Sequence, residues 1–326
     1  MKAMQITGYD GPQAMSYEEL PAPEPPAGHV SLNIEFAGAN YVEALFAEGF
    51  GSVSLPSIPG IEASGTIRSI GPGVDEIEPG AKVAALTINL GGAYGQVAVT
   101  NAGLVAPLPA GMDPALAAAV PSNTTTALIA LERIAHLSPG EEVLVHAAAG
   151  GLGSQFGQIA RLLGAARTVG IVGSPKKRDA ALKLGYDEVW LRGDLPEAVA
   201  GQFDVIVDPV GGAGRQTSLS LLRLGGRLLA VGDAAQEGDQ LISSTELWIN
   251  GIGVLGFNLG ALAASDPQLV GKYLRRVLSL VASGDVIIHI GETAPIQEAP
   301  RILSALRDGT TVGKAILVHE RPASEG

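Results

Sequence analysis

Residues 146–164, HAAAGGLGSQFGQIARLLG, carry the sharpest chemical signal in the sequence. Ala148, Gly150 and Gly153 occupy the three small-residue places of a G-x-G-x-x-G pattern, with alanine in the first place. An apolar run precedes the pattern, and apolar residues at helical spacing follow it. This order of strand, glycine-rich turn and helix is typical of dinucleotide-binding domains.

The small residues of this segment suit the binding of a pyrophosphate. A small residue at 148 allows a tight turn, and Gly150 and Gly151 let backbone N–H groups approach the phosphates. Gly153 lets the helix pack closely on the strand, and the N-terminus of that helix favours negative charge. The alternative is an ordinary strand–loop–helix connection, but the flanking elements favour the dinucleotide.

The second signal is the absence of an acid after the next strand, 168–172. NAD-binding folds place Asp or Glu there, roughly 20 residues after the first glycine, to bind the ribose hydroxyls. Here Ser174 and the basic triplet 176–178 follow, and no acid comes before Asp179. A hydroxyl and cations suit a 2′-phosphate, so the sequence predicts NADPH as the cofactor. A solvated helix start is the alternative, although cations at that end oppose the helix dipole.

Two kinds of segment surround these residues. The first 120 residues read as short strands broken by turns, which predicts a small barrel or sandwich. From Glu141 onward apolar strands alternate with helices, which predicts an α/β domain with a doubly wound parallel sheet. A long helix over 267–283, a strand over 286–291, a helix over 299–309 and a strand over 313–320 end the chain. We expect a Rossmann domain at 122–263 and a discontinuous β-rich domain at 1–121 and 264–326.

Composition excludes several classes of function. The chain of 326 residues carries 21 Lys and Arg against 33 Asp and Glu, a net charge of −12, which is unfavourable for nucleic-acid binding. It has no Cys, so thiolate nucleophiles and Cys-ligated zinc are excluded. No secretory signal and no run of about 18 apolar residues is found, so we expect a cytoplasmic protein without a membrane span.

The chain as a whole resembles the medium-chain dehydrogenase/reductases, and among them the zinc-free quinone oxidoreductases related to zeta-crystallin. The resemblance covers nearly the whole length and implies a GroES-like β-rich domain joined to a Rossmann domain, with the active site in the cleft between them. The stretches that carry it are AGANYVE (37–43), PGIEASGTIRSIGPGV (59–74), PSNTTTAL (121–128), HAAAGGLG (146–153), DPVGG (208–212), GGRLLAVG (225–232), GVLGF (253–257) and VGKAILV (312–318).

The resemblance implies positions for the nicotinamide end of the cofactor. Asn40 matches an asparagine near the nicotinamide ribose, and Thr126 matches a threonine that lies against the cofactor. Phe257 and Asn258 follow the last Rossmann strand, where backbone meets the nicotinamide. Lys314 matches a lysine near the cofactor.

It also implies positions for the phosphates. The pyrophosphate loop corresponds to Gly150, Gly151, Leu152 and Gly153. Ser174 and Lys177 match the positions that bind the 2′-phosphate. Arg192 stands where several relatives carry a phosphate-contacting Tyr, and a guanidinium there serves at least as well.

The predicted catalytic residues are Tyr41, Asn40 and Thr126. Tyr41 lies beside Asn40 in sequence and can donate a proton or hydrogen-bond a carbonyl, although simple packing is the alternative. No metal is expected, because the zinc-dependent branch has a Cys near Gly38 and a His where this chain has Ile61. Leu45-Phe46-Ala47 replaces a Tyr-x-Arg of many quinone reductases, which puts a quinone substrate in question.

These observations predict a zinc-independent oxidoreductase that transfers hydride from NADPH to a quinone or an α,β-unsaturated carbonyl. The alternatives are a biosynthetic enoyl (thioester) reductase and a non-enzymatic NADPH-binding structural or regulatory protein. The substrate, and whether it is free or carrier-bound, cannot be named from the sequence. We expect the apolar strand at 251–257 to lie at a sheet edge, and the alternative is an internal strand covered by its own helices. The resemblance implies that two copies join at this strand into a homodimer.

Overall fold

The computed structural model describes residues 1–89, 91–193, 201–238 and 240–320. The chain forms two compact units, which are described separately. The first unit contains Met1–Thr125, Gly260–Gly284 and the chain from Ile288 onward; the second contains Thr126–Leu259 and Asp285–Ile287. The sequence-based division falls nearby, after residues 121 and 263.

The first unit is built on a mostly antiparallel sheet, whose described strands follow the order β14-β15-β3-β4-β5-β7, with β6 paired to β3. β1 and β2 form a separate antiparallel pair. The last strand of the chain, β15, pairs with β3, so both ends of the chain contribute to one sheet. The strands are β1 (Lys2–Gln5), β2 (Ser16–Glu19), β3 (His29–Ala39), β4 (Glu62–Ile70), β5 (Lys82–Leu86), β6 (Val97–Asn101), β7 (Val105–Pro107), β14 (Ile290–Pro295) and β15 (Lys314–Val318).

Alternating side chains of these strands build the core of the first unit. Leu32, Ile67, Val83 and Leu317 are at most 2% exposed. β3 and β4 approach so closely that a Cβ at Gly65 would stand 2.0 Å from the Asn33 carbonyl oxygen, so only glycine fits there. The helices are α1 (Tyr41–Ala47), α2 (Pro114–Ala118), α8 (Leu259–Ser265), α9 (Pro267–Ser283) and α10 (Ala299–Arg307), of which α8 begins on the last residue of the second unit.

Helix α9 has the predicted bounds. Its buried apolar face consists of Val270, Leu274, Val277, Leu278 and Val281. The helix backbone packs closely on the chain beneath it, since a Cβ at Gly271 would lie 1.9 Å from the Gly103 carbonyl oxygen.

The predicted strand at 286–291 is wrong. The strand of this region, β14, begins only at Ile290. Ahead of it, Ile287 is 64% exposed, and its N–H and carbonyl bond to the Gln158 side chain at 2.8 and 2.9 Å. Because the Gln158 side chain takes up the hydrogen bonds of the Ile287 backbone, the apolar segment ahead of Ile290 does not join a sheet.

The second unit is an α/β domain with a parallel sheet, as predicted. Its described strands follow the order β10-β9-β8-β11-β12-β13, and each neighbouring pair is parallel. Val143, Val205 and Leu228 are fully buried, which explains the continuous apolar runs of the central strands. The strands are β8 (Glu142–His146), β9 (Arg167–Val172), β10 (Glu188–Leu191), β11 (Phe203–Asp208), β12 (Leu222–Ala230) and β13 (Gly253–Gly256).

Helices cover this sheet, and β13 lies at its edge, which confirms the predicted edge position of that strand. The helices are α3 (Asn123–Ile129), which begins in the first unit and is continued by a π-helical turn at 130–134, α4 (Gly151–Leu162), α5 (Pro175–Lys183), α6 (Gly214–Leu221) and α7 (Ser244–Asn250). In the part of the chain that is described, no helix is both long and apolar enough to cross a membrane.

Candidate active site

The glycine-rich loop leaves β8 after His146 and enters α4 at Gly151. The tight turn lies at Ala147, with a φ of 53°, and not at Ala148 as the sequence predicts. Gly153 is required by packing, because a Cβ there would stand 2.3 Å from the Ala147 carbonyl oxygen. The loop therefore holds the first turn of α4 directly against the end of its strand.

The start of α4 suits an anionic ligand. Gly150 is the N-cap residue, and because it has no side chain, no side-chain oxygen caps the amides of the first turn. The helix has 12 residues, long enough for its dipole to favour negative charge at this end. Gly150, Gly151, Leu152 and Gly153 all lie at this end, so the geometry fits the pyrophosphate role that the sequence predicts for them.

His146, at the end of β8, bonds through Nε2 to the Ser218 hydroxyl at 2.8 Å. Burial lowers the pKa of His146, and the positive charge of Arg192 lowers it further, while Asp208 opposes the shift. The histidine is half-buried and has a partner, which is typical of a structural residue at the start of the loop.

The basic residues predicted for the 2′-phosphate lie close together. β9 and β10 are parallel neighbours, and the N–H of Arg192 bonds to the Val172 carbonyl at 3.0 Å, so the ends of the two strands meet. Ser174 is the N-cap of α5, and Lys177 lies on its first turn. Burial lowers the pKa of Lys177, and the charge of Arg192 lowers it further. Two neighbouring cations and a hydroxyl fit a phosphate monoester.

Three of the residues predicted for the nicotinamide, Thr126, Phe257 and Asn258, lie in the second unit. Phe257 and Asn258 follow β13, and the N–H of Phe257 bonds to the Ala230 carbonyl at 3.0 Å. Thr126 lies buried on α3. The neighbouring Thr125 hydroxyl is buried with no hydrogen-bond partner among the described residues, so a polar ligand atom could satisfy it.

In the first unit, Asn40 starts α1 through a capping box. Its backbone N–H donates to the Glu43 carboxylate at 2.8 Å, and its side chain caps the N–H of Glu43 in return. Glu43 is fully buried and also accepts from the N–H of Ile61 at 2.9 Å and the hydroxyl of Tyr94 at 2.6 Å. Three donors thus hold this carboxylate beneath the start of α1.

A second buried carboxylate, Glu62, lies on the other side of Asn40. It accepts from the Asn40 side-chain nitrogen at 2.8 Å and from the N–H of Ser122 at 2.7 Å, and it pairs with the Lys314 ammonium. Lys314 also donates to the Asn40 side-chain oxygen at 2.5 Å. The structure therefore joins Asn40 and Lys314, both predicted site residues, through a carboxylate that the sequence analysis did not single out. Lys314 is only 3% exposed.

Tyr41 has different partners from Asn40. Its hydroxyl accepts from Arg307 of α10 at 2.6 Å, and the guanidinium lies 5.7 Å from its ring centroid. Arg307 also pairs with Glu48. The structure thus does not bring the Tyr41 hydroxyl to the cluster of Asn40, Glu62 and Lys314.

Comparisons with known proteins agree with these two units. Residues 26–110 match the family model of the alcohol dehydrogenase GroES-like domain, and residues 151–283 match that of the zinc-binding dehydrogenase. A quinone oxidoreductase from Thermus thermophilus, solved also with NADPH, is 33% identical, with a TM-score of 0.82 over 98% of this chain and 100% of that one. The chain belongs to the medium-chain dehydrogenase/reductases, in their quinone oxidoreductase branch.

Other members of this superfamily give the same picture. The Escherichia coli quinone oxidoreductase complexed with NADPH is 25% identical, with a TM-score of 0.89 over 98% of this chain and all of that one. The polyketide synthase GfsB of Streptomyces halstedii is 32% identical over 89% of this chain. The chain spans only 5% of that synthase, and 13% and 8% of the two Streptomyces polyketide synthase proteins that follow it in similarity.

Residues that cannot bind zinc occupy the positions where the zinc-dependent branch has its ligands. Ile61 is 4% exposed in the core, and a Cβ at Gly38 would lie 2.5 Å from a Glu62 carboxylate oxygen. Across the residues that the structure describes, no three His, Asp or Glu side chains are grouped as metal ligands would be. The absence of a metal requirement stays a prediction.

The sequence analysis did not single out the two buried carboxylates of this site, Glu43 and Glu62. The spacing Asn40-x-x-Glu43 is a capping-box signature and could have been found. Glu62 is a single charged residue at the start of strand β4, which is a weaker signal. Both carboxylates are 0% exposed, and buried charges need partners that only the fold reveals.

The buried Glu43 carboxyl gives the stability of the first unit a testable pH dependence. Burial raises the pKa of Glu43 from 4.5 to about 7, against the lowering effects of Tyr94, the Asn40 and Ile61 amides, and Lys314. At a pH between 4.5 and about 7, Glu43 holds a proton in the folded protein that it has released in the unfolded chain. The contribution of Glu43 to the free energy of unfolding therefore falls by about 3 kcal/mol as the pH rises through this range.

We expect denaturant unfolding of Glu43→Gln to lack this contribution. The difference in unfolding free energy between wild type and variant should change by about 3 kcal/mol between roughly pH 4.5 and 7 and stay constant above. A difference that does not vary with pH would show that Glu43 titrates normally.

Proposed function

We propose that this chain is a metal-independent reductase that uses NADPH to reduce a quinone or an α,β-unsaturated carbonyl. The observation that carries the proposal is the combination of an uncapped α4 N-terminus with two neighbouring cations, Lys177 and Arg192, where NAD-binding folds place an acid. Related structures support it, because the quinone oxidoreductases of T. thermophilus and E. coli were solved with NADPH.

The chain's own residues would bind and orient the reactants. The first turn of α4 would hold the pyrophosphate, and Ser174, Lys177 and Arg192 would hold the 2′-phosphate. Asn40, Thr126, Phe257 and Asn258 would surround the nicotinamide riboside. Bound NADPH would supply the hydride.

Conjugation of the acceptor makes a metal unnecessary. In an enone or quinone, the charge that develops on hydride transfer is spread onto a conjugated oxygen, so polar donors suffice where simple carbonyl chemistry calls for a Lewis acid. The proton that completes the reduction would come from water, because the Tyr41 hydroxyl is held by Arg307 apart from Asn40 and Lys314.

Turnover tests this proposal directly. Purified protein treated with a strong chelator should oxidise NADPH in the presence of at least one quinone, enone or enoyl thioester from a small panel. Tight NADPH binding without reduction of any member of the panel would favour the non-enzymatic alternative. Activity lost on chelation and restored by zinc alone would contradict the metal-independent mechanism.

Cofactor choice should depend on the two cations. Lys177→Ala and Arg192→Ala should each weaken NADPH binding by about 1–3 kcal/mol and leave NADH binding nearly unaltered, because each removes a charge-assisted contact to the 2′-phosphate. Lys183→Ala, on the exposed last turn of the same helix, is the matched control. Calorimetric titration measures the affinity of all three variants for NADPH and NADH. Equal losses of affinity for both cofactors would show that the two cations do not contact the 2′-phosphate.

A carrier-bound enoyl thioester is the second candidate substrate. Polyketide synthases, which are 31–33% identical to the chain over about nine-tenths of its length, favour it. Comparing kcat/KM for one enoyl group as a free thioester and on a carrier protein separates the candidates. If kcat/KM is a hundredfold or more higher for the carrier-bound form, the substrate is the carrier-bound thioester and not a free compound.

We also propose that the protein is a homodimer formed through β13. This edge strand lies beside α7 and the β12 region, where apolar side chains are exposed: Trp248 by 80%, Ile249 by 69% and Leu224 by 82%. Trp248 therefore lies on this surface and not in the core of its own chain. An exposed apolar patch beside an open strand edge is typical of an interface.

Light scattering at micromolar concentration checks the dimer. The wild type should have twice the mass of one chain, and Trp248→Asp with Ile249→Asp should shift it to the monomer. Leu162→Asp, at another exposed apolar residue in the same unit, is the control and should leave the mass unaltered. A wild-type monomer would contradict the proposal.

A further inference from the structure

Helix α9 concentrates positive charge on the surface of the first unit. Lys272, Arg275 and Arg276 are exposed on it, and their spacing of three and four residues places them on one face. The helix contains no Asp or Glu from Pro267 to Ser283, although the whole chain has a net charge of −12. This face is therefore a basic surface on an acidic protein.

The neighbouring segment does not neutralise the basic face. α9 packs against residues 102–107, which form a short turn and strand β7, and the chain from 101 to 112 has no Asp or Glu. Among the residues that the structure describes, no carboxylate pairs with Lys272 or Arg275. By contrast, the arginines of α10 pair with carboxylates of their own unit.

The stability of the helix does not explain these cations. Like charges three and four positions apart repel each other and destabilise a helix slightly. The phosphates of the proposed cofactor have cations of their own, Lys177 and Arg192, in the second unit. Exposed cations that share one face and have no acid beside them are suited to a partner of opposite charge.

The chemistry of this face favours a small acidic protein over a membrane or a nucleic acid. A membrane-binding helix needs an accessible apolar face, but that of α9 is buried in its own unit, and no exposed position of α9 has a large apolar side chain. A nucleic acid would extend beyond the three cations onto an acidic surface. A small protein covers only the basic face, and salt screens charges that lie more than about 8 Å away.

We propose that the α9 face with Lys272, Arg275 and Arg276 is the docking surface for an acidic carrier protein that delivers an enoyl thioester. The inference rests on the proposed function in its carrier-bound form, which the similarity to polyketide synthases favours. It adds a place on the molecule, and the charge of the partner, to that form of the substrate.

The docking surface belongs to the same unit as the cluster of Asn40, Glu62 and Lys314. β7, against which α9 packs, pairs with β5, and β5 pairs with β4, where Leu86 lies opposite Glu62. Two strand spacings, roughly 10 Å, therefore separate the strand beneath α9 from the strand of Glu62. The acyl-bearing arm of a docked carrier would have to span a distance that is set within one unit.

The kinetic test uses one enoyl group in two forms, a crotonyl thioester on an acidic acyl carrier protein and free crotonyl-pantetheine. In Lys272→Glu/Arg275→Glu, KM for the carrier-bound form should rise about tenfold or more, because the reversed charges repel the carrier. Both kcat and KM for the free thioester should change less than about twofold. Lys272→Gln/Arg275→Gln should show a smaller rise in the same KM.

Lys2→Glu/Lys183→Glu is the matched control. It makes the same change in net charge at exposed lysines of β1 and α5 and should leave both KM values unaltered. Circular dichroism checks that all variants fold. An equal rise of KM in the control, or an unaltered KM for the carrier-bound form in Lys272→Glu/Arg275→Glu, would overturn the docking surface.

Direct binding distinguishes this inference from the proposed function. Calorimetric titration with the carrier protein alone, without NADPH, should show binding that Lys272→Glu/Arg275→Glu weakens about tenfold or more. If this holds and no thioester is reduced, the proposed function fails and the docking surface stands. If free thioesters are reduced but the wild type does not bind the carrier, the docking surface fails alone.

The same variants test the other occupants of this face. Binding of phosphatidylglycerol vesicles or of duplex DNA that depends on Lys272 and Arg275, without binding of the carrier, would overturn the proposal in favour of a membrane or a nucleic acid. A dimer that Lys272→Glu/Arg275→Glu converts to a monomer in light scattering would assign the face to a second copy of the chain.

Discussion

Replacing Gly151 by Val is expected to abolish NADPH binding while the second unit stays folded. Gly151 is the first residue of α4, and the cofactor's pyrophosphate should approach its backbone. A branched side chain would stand between the helix amides and the phosphates. Hydrogen bonds to charged groups are each worth about 1.5–3 kcal/mol, so loss of two should weaken binding by more than about a hundredfold.

The fold should survive this change, because Phe156 and Ile159 anchor α4 in the core with no exposed surface. Gly214→Val is the matched control: it changes the first residue of α6, where a Cβ meets nothing within 4 Å. Circular dichroism reports the fold, and calorimetry reports NADPH binding. A folded Gly151→Val variant with native affinity would place the cofactor elsewhere.

Gly38→Ala is expected to destabilise the first unit strongly. The added Cβ would lie 2.5 Å from a Glu62 carboxylate oxygen and 2.8 Å from the Ala118 backbone carbonyl. Glu62 cannot move aside, since Ser122, Asn40 and Lys314 hold it. Overpacking of this kind costs about 1–3 kcal/mol, and we expect the upper end of that range.

Denaturant unfolding measures the effect. Gly8→Ala is the control, because its Cβ would meet only the end of the Asp10 side chain, at 3.2 Å, and should change the unfolding free energy by less than about 0.5 kcal/mol. If Gly38→Ala is no more destabilising than this control, Glu62 is not fixed in place. NADPH affinity should fall together with stability in Gly38→Ala, since Asn40 depends on the same carboxylate.

The sequence predicts the architecture well because the relevant signals are local and periodic. The alternation of apolar strands with helices from Glu141 onward predicts the parallel sheet, and the bounds of α9 follow from its apolar spacing, Asp266 cap and Gly284 stop. The glycine-rich loop is recognisable because its constraint, the contact of Gly153 with Ala147, joins residues close in sequence.

The failures involve distant partners. The run Val286–Ile290 has strand composition, but the Gln158 side chain satisfies the backbone of Ile287 from 129 positions away. The Glu62–Lys314 pair joins residues 252 positions apart, and neither spacing nor composition signals it.

The central claim is hydride transfer from NADPH, and its most direct test uses NADPH deuterated at either face of the nicotinamide C4. With a quinone or enone that the protein reduces, single-turnover decay of the nicotinamide absorbance should be slower for one of the two labelled cofactors and not for the other. This result would show transfer of one hydride from a fixed orientation in the site. Equal decay of both, or no acceptor-dependent decay of NADPH at all, would contradict the account.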